Sequence, residues 1–257
     1  MKTGRGGVVL AVVAGLSASG VAQAALFDRG GGLIYDSVLD VTWLQDANYA
    51  RTSGYDSDGY MDWYQAVAWA DQLSFYDSVR GVTWSNWRLP TVNPISGSTF
   101  NYDFSYDGSS DYGYNISAPG TAYAGAAGSE LANMYYNNLL GNEPAYNTDG
   151  SENPDWTGVV SSSFVDAATG ETRAFANLTS FWYWSGTEYA PDPTYAWGFY
   201  TGSGIQTYFD KLNVYDYAWV VRPGDVPLPG AGLLLASALG CLGWAHRRRS
   251  TRKPAPR

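Results

Sequence analysis

Trp182-Tyr183-Trp184, Ala196-Trp197-Gly198-Phe199-Tyr200, Thr207-Tyr208-Phe209 and Tyr217-Ala218-Trp219-Val220-Val221 crowd the last forty residues before position 222. Aromatic and β-branched runs of this length, separated by Gly, Pro and Asp, predict strands joined by turns. Two short strands are predicted upstream, Leu33-Ile34-Tyr35-Asp36 and Val41-Thr42-Trp43-Leu44, around a turn at Ser37 to Asp40. Tyr49 to Gly59 reads as a polar loop. A helix follows with Asp62 as N-cap. Trp63, Ala66, Val67, Ala70 and Leu73 recur at helical spacing and are expected to face the core. Trp69 and Tyr76 are expected on the opposite, polar side with Gln65 and Gln72, as exposed ligand-binding rings.

Trp87-Arg88-Leu89-Pro90-Thr91 predicts an edge strand ended by proline. Residues 99–128, rich in Tyr, Gly, Ser and Asp, are expected to form a long, partly disordered surface insertion. A second helix is predicted from Ser129, its N-cap, to Leu140, with Gly141 just past its end. Residues 142–158 form another polar loop. Thr169-Gly170 predicts a hairpin between Phe164-Val165 and Arg173-Ala174-Phe175.

The 257 residues include one cysteine, Cys241, and one histidine, His246. Both stand beside a run of arginines near the C-terminus. Residues 25–225 therefore lack the parts for a Ser-His-Asp triad, a Cys-His nucleophile, an ordinary zinc site or a disulfide. All 24 acidic residues fall between positions 25 and 226, against seven basic ones, which leaves that segment at −17. Such a charge repels nucleic acid and excludes it as a partner. Ten of the 11 Trp and all 21 Tyr lie in the same segment. Rings left at the surface make amphipathic, low-entropy contacts.

Both ends read as addresses. Lys2 and Arg5, the apolar run from Val8 to Leu16 and Ala22-Gln23-Ala24 predict a secretory signal over residues 1–24. At the other end, Val226-Pro227-Leu228-Pro229-Gly230 precedes an apolar run to Ala245 and then His246-Arg247-Arg248-Arg249. Sixteen helical residues reach about 24 Å, short of a hydrocarbon core of about 30 Å, and a snorkelling basic cluster makes up the difference. Residues 226–249 resemble a PEP-CTERM sorting signal of Gram-negative bacteria. The resemblance implies Pro227, Leu228 and Pro229 as the sorting motif, a transient membrane segment, and exosortase of the inner membrane as partner. It makes Arg247, Arg248 and Arg249 the topological stop before a basic cytoplasmic tail at 250–257.

The Leu33–Leu44 strands, the Asp-rich loop into Met61-Asp62-Trp63, Trp87-Arg88-Leu89-Pro90-Thr91 and Ser129-Glu130-Leu131 occur in order. They are followed by Tyr183-Trp184-Ser185-Gly186-Thr187-Glu188-Tyr189 and Ala218-Trp219-Val220-Val221-Arg222-Pro223-Gly224. Together they resemble the Lcl C-terminal domain family over residues 25–225. The resemblance implies an α+β, C-type lectin-like module with two helices packed on small antiparallel sheets and long polar loops. Its first and last strands would meet, bringing Leu33–Tyr35 near Trp219–Val221. The family's adhesin member binds sulfated polysaccharide, whereas this segment has the wrong charge for a polyanion. Formylglycine-generating enzymes share the Trp-Arg-Leu-Pro-Thr segment, but their chemistry needs cysteines that residues 25–225 lack.

The expected function is an exported, non-enzymatic carbohydrate- or matrix-binding module. A two-carboxylate glycosidase and a structural biofilm protein are the alternatives. Asp56-Ser57-Asp58-Gly59-Tyr60-Met61-Asp62 resembles the front half of a calcium loop, with Asp56, Asp58, the carbonyl of Tyr60, and Asp62 as Ca2+ ligands. No Glu stands at the twelfth position, which is Val67. Glu143-Pro144 and Glu152-Asn153-Pro154-Asp155 do not follow the Glu-Pro-Asn order of lectin sugar loops and read as ordinary polar loop.

Overall fold

A computed structural model describes residues 25–227. The expected signal at 1–24, Leu228, Pro229, the apolar run and Arg247, Arg248 and Arg249 lie outside the described residues. Among the described residues no helix is long and apolar enough to cross a membrane.

The chain opens with strands β1 (Leu26–Asp28), β2 (Leu33–Asp36) and β3 (Val41–Leu44) and a single helical turn α1 (Tyr49–Thr52). Helix α2 (Trp63–Gln72) leads to strands β4 (Phe75–Asp77), β5 (Val82–Trp84), β6 (Phe104–Ser105) and β7 (Tyr112–Gly113). Helix α3 (Glu130–Asn133) widens into a π-helical turn (Met134–Asn138). Strands β8 (Ser163–Val165), β9 (Thr172–Ala174), β10 (Trp182–Glu188), β11 (Tyr195–Tyr200), β12 (Ile205–Asp210) and β13 (Val221–Pro223) complete the α+β architecture. One sheet has the order β1-β2-β3-β13 and a second β10-β11-β12-β7-β6. β4-β5 and β8-β9 are separate antiparallel hairpins.

The first sheet is buried on both faces. Ile34, Val41, Trp43 and Val221 join one apolar cluster with the α3 helix, Phe164 and Phe175. Leu33, Leu44 and Val220 join another with α2. Two covered faces explain why β2 and β3 read as near-continuous apolar runs. The turn between them is held by Asp36, whose carboxylate accepts from Val38 N and Leu39 N, and Asp40 adopts φ 50°. The last strand does return to this sheet, but it pairs with β3, Val221 opposite Trp43, rather than with Leu33–Tyr35. β2 already has β1 and β3 on its two edges, so the open edge of β3 receives the last strand.

Helix α2 starts where expected: Asp62 accepts from Gln65 N, and the Gln65 side chain accepts from Asp62 N. The placement of its rings is corrected. Trp69 is 2% exposed and packs in the core. It stands three residues after Ala66 and four before Leu73, so it belongs to their stripe. Tyr76 is 63% exposed, but it lies on β4, because the helix ends at Gln72.

Three further expectations change. Arg88 meets the sheet only through a two-bond bridge with Val221, so residues 87–91 form no strand; the preceding residues form β5 instead. The second helix starts at its Ser129 cap but stops at Asn138, where Leu139 N reaches back to Met134 O. Asn138 then turns inward to donate to Asp36. Residues 99–128 form no disordered insertion, since they supply β6 and β7, and β7 pairs with β12.

Candidate functional site

The Asp-rich turn uses its carboxylates on its own backbone. Asp56 accepts from Asp58 N and Gly59 N, Asp58 accepts from Tyr60 N, and Asp62 caps α2. The two hydrogen bonds to Asp56 hold its carboxyl below the usual carboxylate range despite the opposing effect of burial, the largest single influence. Gly59 has φ +87°, and a Cβ there would fall 1.9 Å from Asn48 Oδ1, so only glycine fits. Tyr60 stacks on Tyr217 at 4.3 Å, and a hydrogen bond with Tyr217, then burial, pushes its phenol up to about 12. Among the described residues no three His, Cys, Asp or Glu side chains gather as a metal-holding group.

A connected set of surface rings lies elsewhere, apart from the singly exposed Tyr55, Tyr64, Tyr76 and Tyr215. Tyr189 stacks on Tyr208 with centroids 3.8 Å apart, and burial, then a hydrogen bond to Tyr208, pushes the Tyr189 phenol up to about 12. Tyr208 contacts Tyr112 at 5.5 Å, Tyr112 contacts Phe104 at 5.1 Å, and Phe104 contacts Tyr106 at 4.9 Å. Tyr106 lies parallel to Tyr114 and both approach Tyr146. Phe104 and Tyr106 are exposed, and the other five rings are half-buried. They make one unbroken aromatic belt across the second sheet from β12 to β6 and onto the 142–158 loop.

Buried polar side chains hold this belt in place. Asn115, at φ 59°, donates to the carbonyls of Tyr106 and Tyr146 at 2.7 and 2.9 Å, joining two belt segments. Asp111 accepts from Ile95 N and Asn101 N and thereby anchors the start of the Tyr-rich stretch. Burial raises its pKa against those bonds. Gly113, at φ +128°, lets β6 and β7 close up, since a Cβ there would lie 1.9 Å from Ser105 O.

The belt runs into a cavity of about 450 Å³ lined by Tyr114, Tyr146, Glu152, Asn153, Trp156 and Tyr200. Trp156 is 43% exposed, and its Nε1 donates to Gly202 O at 2.7 Å, which fixes the ring at the rim. Asn153 Nδ2 donates to Pro144 O at 3.0 Å and approaches Glu143. The fold thus gathers Glu143, Glu152 and Asn153 at one place. Planar rings, a carboxylate and an amide can stack on a sugar face and hydrogen-bond its hydroxyls.

Neither Trp69 nor Asp56–Asp62 contributes to this site. A signal for it was present in Tyr102-Asp103-Phe104-Ser105-Tyr106 and Tyr112-Gly113-Tyr114, where rings alternate with small or polar residues at the period of a strand. Trp156 carried no such signal, being a lone ring in a polar loop. No protein-family model, curated protein or solved structure matches the chain.

Proposed function

We propose that this protein is an exported, non-enzymatic module that binds carbohydrate or extracellular matrix polymer and reaches the cell envelope through exosortase sorting of its C-terminal segment. The observation that carries the binding reading is the aromatic belt ending in the Trp156 cavity. Rings in contact over several strands offer successive stacking positions to an extended chain, with little side-chain entropy to lose. The acidic surface keeps such a module soluble outside a cell. A C-type lectin-like fold is consistent with helices on both sides of a small antiparallel sheet that receives the last strand.

The test is a polysaccharide-binding screen of the full-length protein beside Trp156→Ala and Tyr106→Ala. Binding that falls in both variants supports the reading. Absence of binding to every polysaccharide, or binding indifferent to both substitutions, overturns it. The sorting reading is tested separately, by following the mass of the exported protein when exosortase is deleted; an unchanged mass overturns it.

A further inference from the structure

The charge around the cavity narrows the class of glycan. Residues 89–172 contain ten acidic side chains and no Lys or Arg. This stretch supplies six of the eight cavity-lining residues, the others being Tyr200 and Ser203. The flanking cations are already committed: Arg88 is paired with Glu130, and Arg173 with Glu171. Glu152 is exposed and enters no ion pair among the described residues. The cavity therefore offers three tyrosine rings, one tryptophan ring and a free carboxylate.

Aromatic faces carry negative potential, and several rings around a carboxylate form a receptor for an ammonium group. A neutral sugar gains stacking and hydrogen bonds there but no ionic attraction, and a uronate or sulfate is repelled by Glu152 and its acidic surroundings. We propose that the Trp156 cavity takes the protonated amine of a hexosamine within the bound polymer, so that the preferred glycan is a de-N-acetylated aminosugar chain. This rests on the glycan-binding reading above, with the belt holding neighbouring residues of the chain by stacking.

The experiment is calorimetric titration of the full-length protein with hexamers of glucosamine, N-acetylglucosamine and galacturonate, and with hexalysine, at low and at physiological salt. The glucosamine hexamer is expected to bind about tenfold more tightly than the acetylated one, with the preference shrinking as salt rises. E152Q, a near-isosteric change at an exposed position, should reduce that preference by weakening the glucosamine hexamer more than the acetylated one; a variant that keeps the full wild-type preference overturns the proposal. Equal affinity for the two hexosamine oligomers, or tighter binding of galacturonate, overturns the proposal and leaves the glycan reading standing. Hexalysine binding as tightly as glucosamine also overturns it, because charge alone would then suffice. No binding of any saccharide in the wild type overturns both.

Discussion

The Asp-rich turn at residues 53–62 and the Tyr-rich stretch at residues 99–115 look alike on paper, both polar and glycine-bearing, yet they fold to opposite ends. In the first, the side chains serve the backbone: Asp56, Asp58 and Asp62 accept from neighbouring N–H groups. In the second, buried side chains serve the backbone and the rings are left for solvent. Asp111 and Asn115 hold the chain while Tyr102, Phe104, Tyr106, Tyr112 and Tyr114 line the surface. A polar composition does not say which side chains remain available. Local hydrogen bonding decides it.

A buried acid stands near each region, and the two differ in what they accept. Asp111 receives two backbone N–H bonds. Asp216, whose backbone pairs with Met61 at the foot of the Asp-rich turn, is 1% exposed with no partner for Oδ2. Burial raises its pKa to about 7. The unfolded chain then loses this proton near pH 4 and the folded chain near pH 7, so stability falls across that window and levels off above it. The largest expected effect follows: Asp216→Asn should be more stable than wild type at pH 8 by up to about 4 kcal/mol, with the difference vanishing near pH 4. Urea unfolding at several pH values measures it, and a pH-independent difference would break the contrast between the two acids.

Next in size, Gly113→Ala should cost about 3 kcal/mol, because its Cβ meets the Ser105 carbonyl and its φ of +128° excludes L side chains. Thermal unfolding checks it; a neutral outcome would mean that β6 and β7 need no close approach. Trp156→Ala should weaken polysaccharide binding by about 2 kcal/mol, roughly thirtyfold, with little loss of stability from its exposed position. Parallel titration and melting separate the two readouts. Smallest of all, millimolar Ca2+ should leave Tm unchanged, because the acids of the turn are taken up by the backbone; a clear rise would restore Asp56, Asp58, Tyr60 and Asp62 as a cation site.

Much of this was legible in advance. The caps at Asp62 and Ser129, the β2–β3 turn and the Thr169-Gly170 hairpin follow from local chemistry, because the groups that satisfy one another are a few residues apart. Trp69 is buried rather than exposed because it shares the apolar stripe of Ala66 and Leu73, which is wider than the polar face around Gln65 and Gln72 suggests. The strand expected at residues 87–91 failed because pairing depends on a partner, and Val221 offers only one residue.

By itself, then, the sequence determined the acidic character, the aromatic load, the absence of Cys and His from residues 25–225, and the main helix starts. These depend on composition and on neighbours in the chain. Only the tertiary structure decided which rings stay exposed and where they meet. Tyr208 reaches Tyr112 across a strand pair, and Trp156 is fixed by the carbonyl of Gly202. Exposure and convergence are set by contacts between residues far apart in sequence, which no local pattern records.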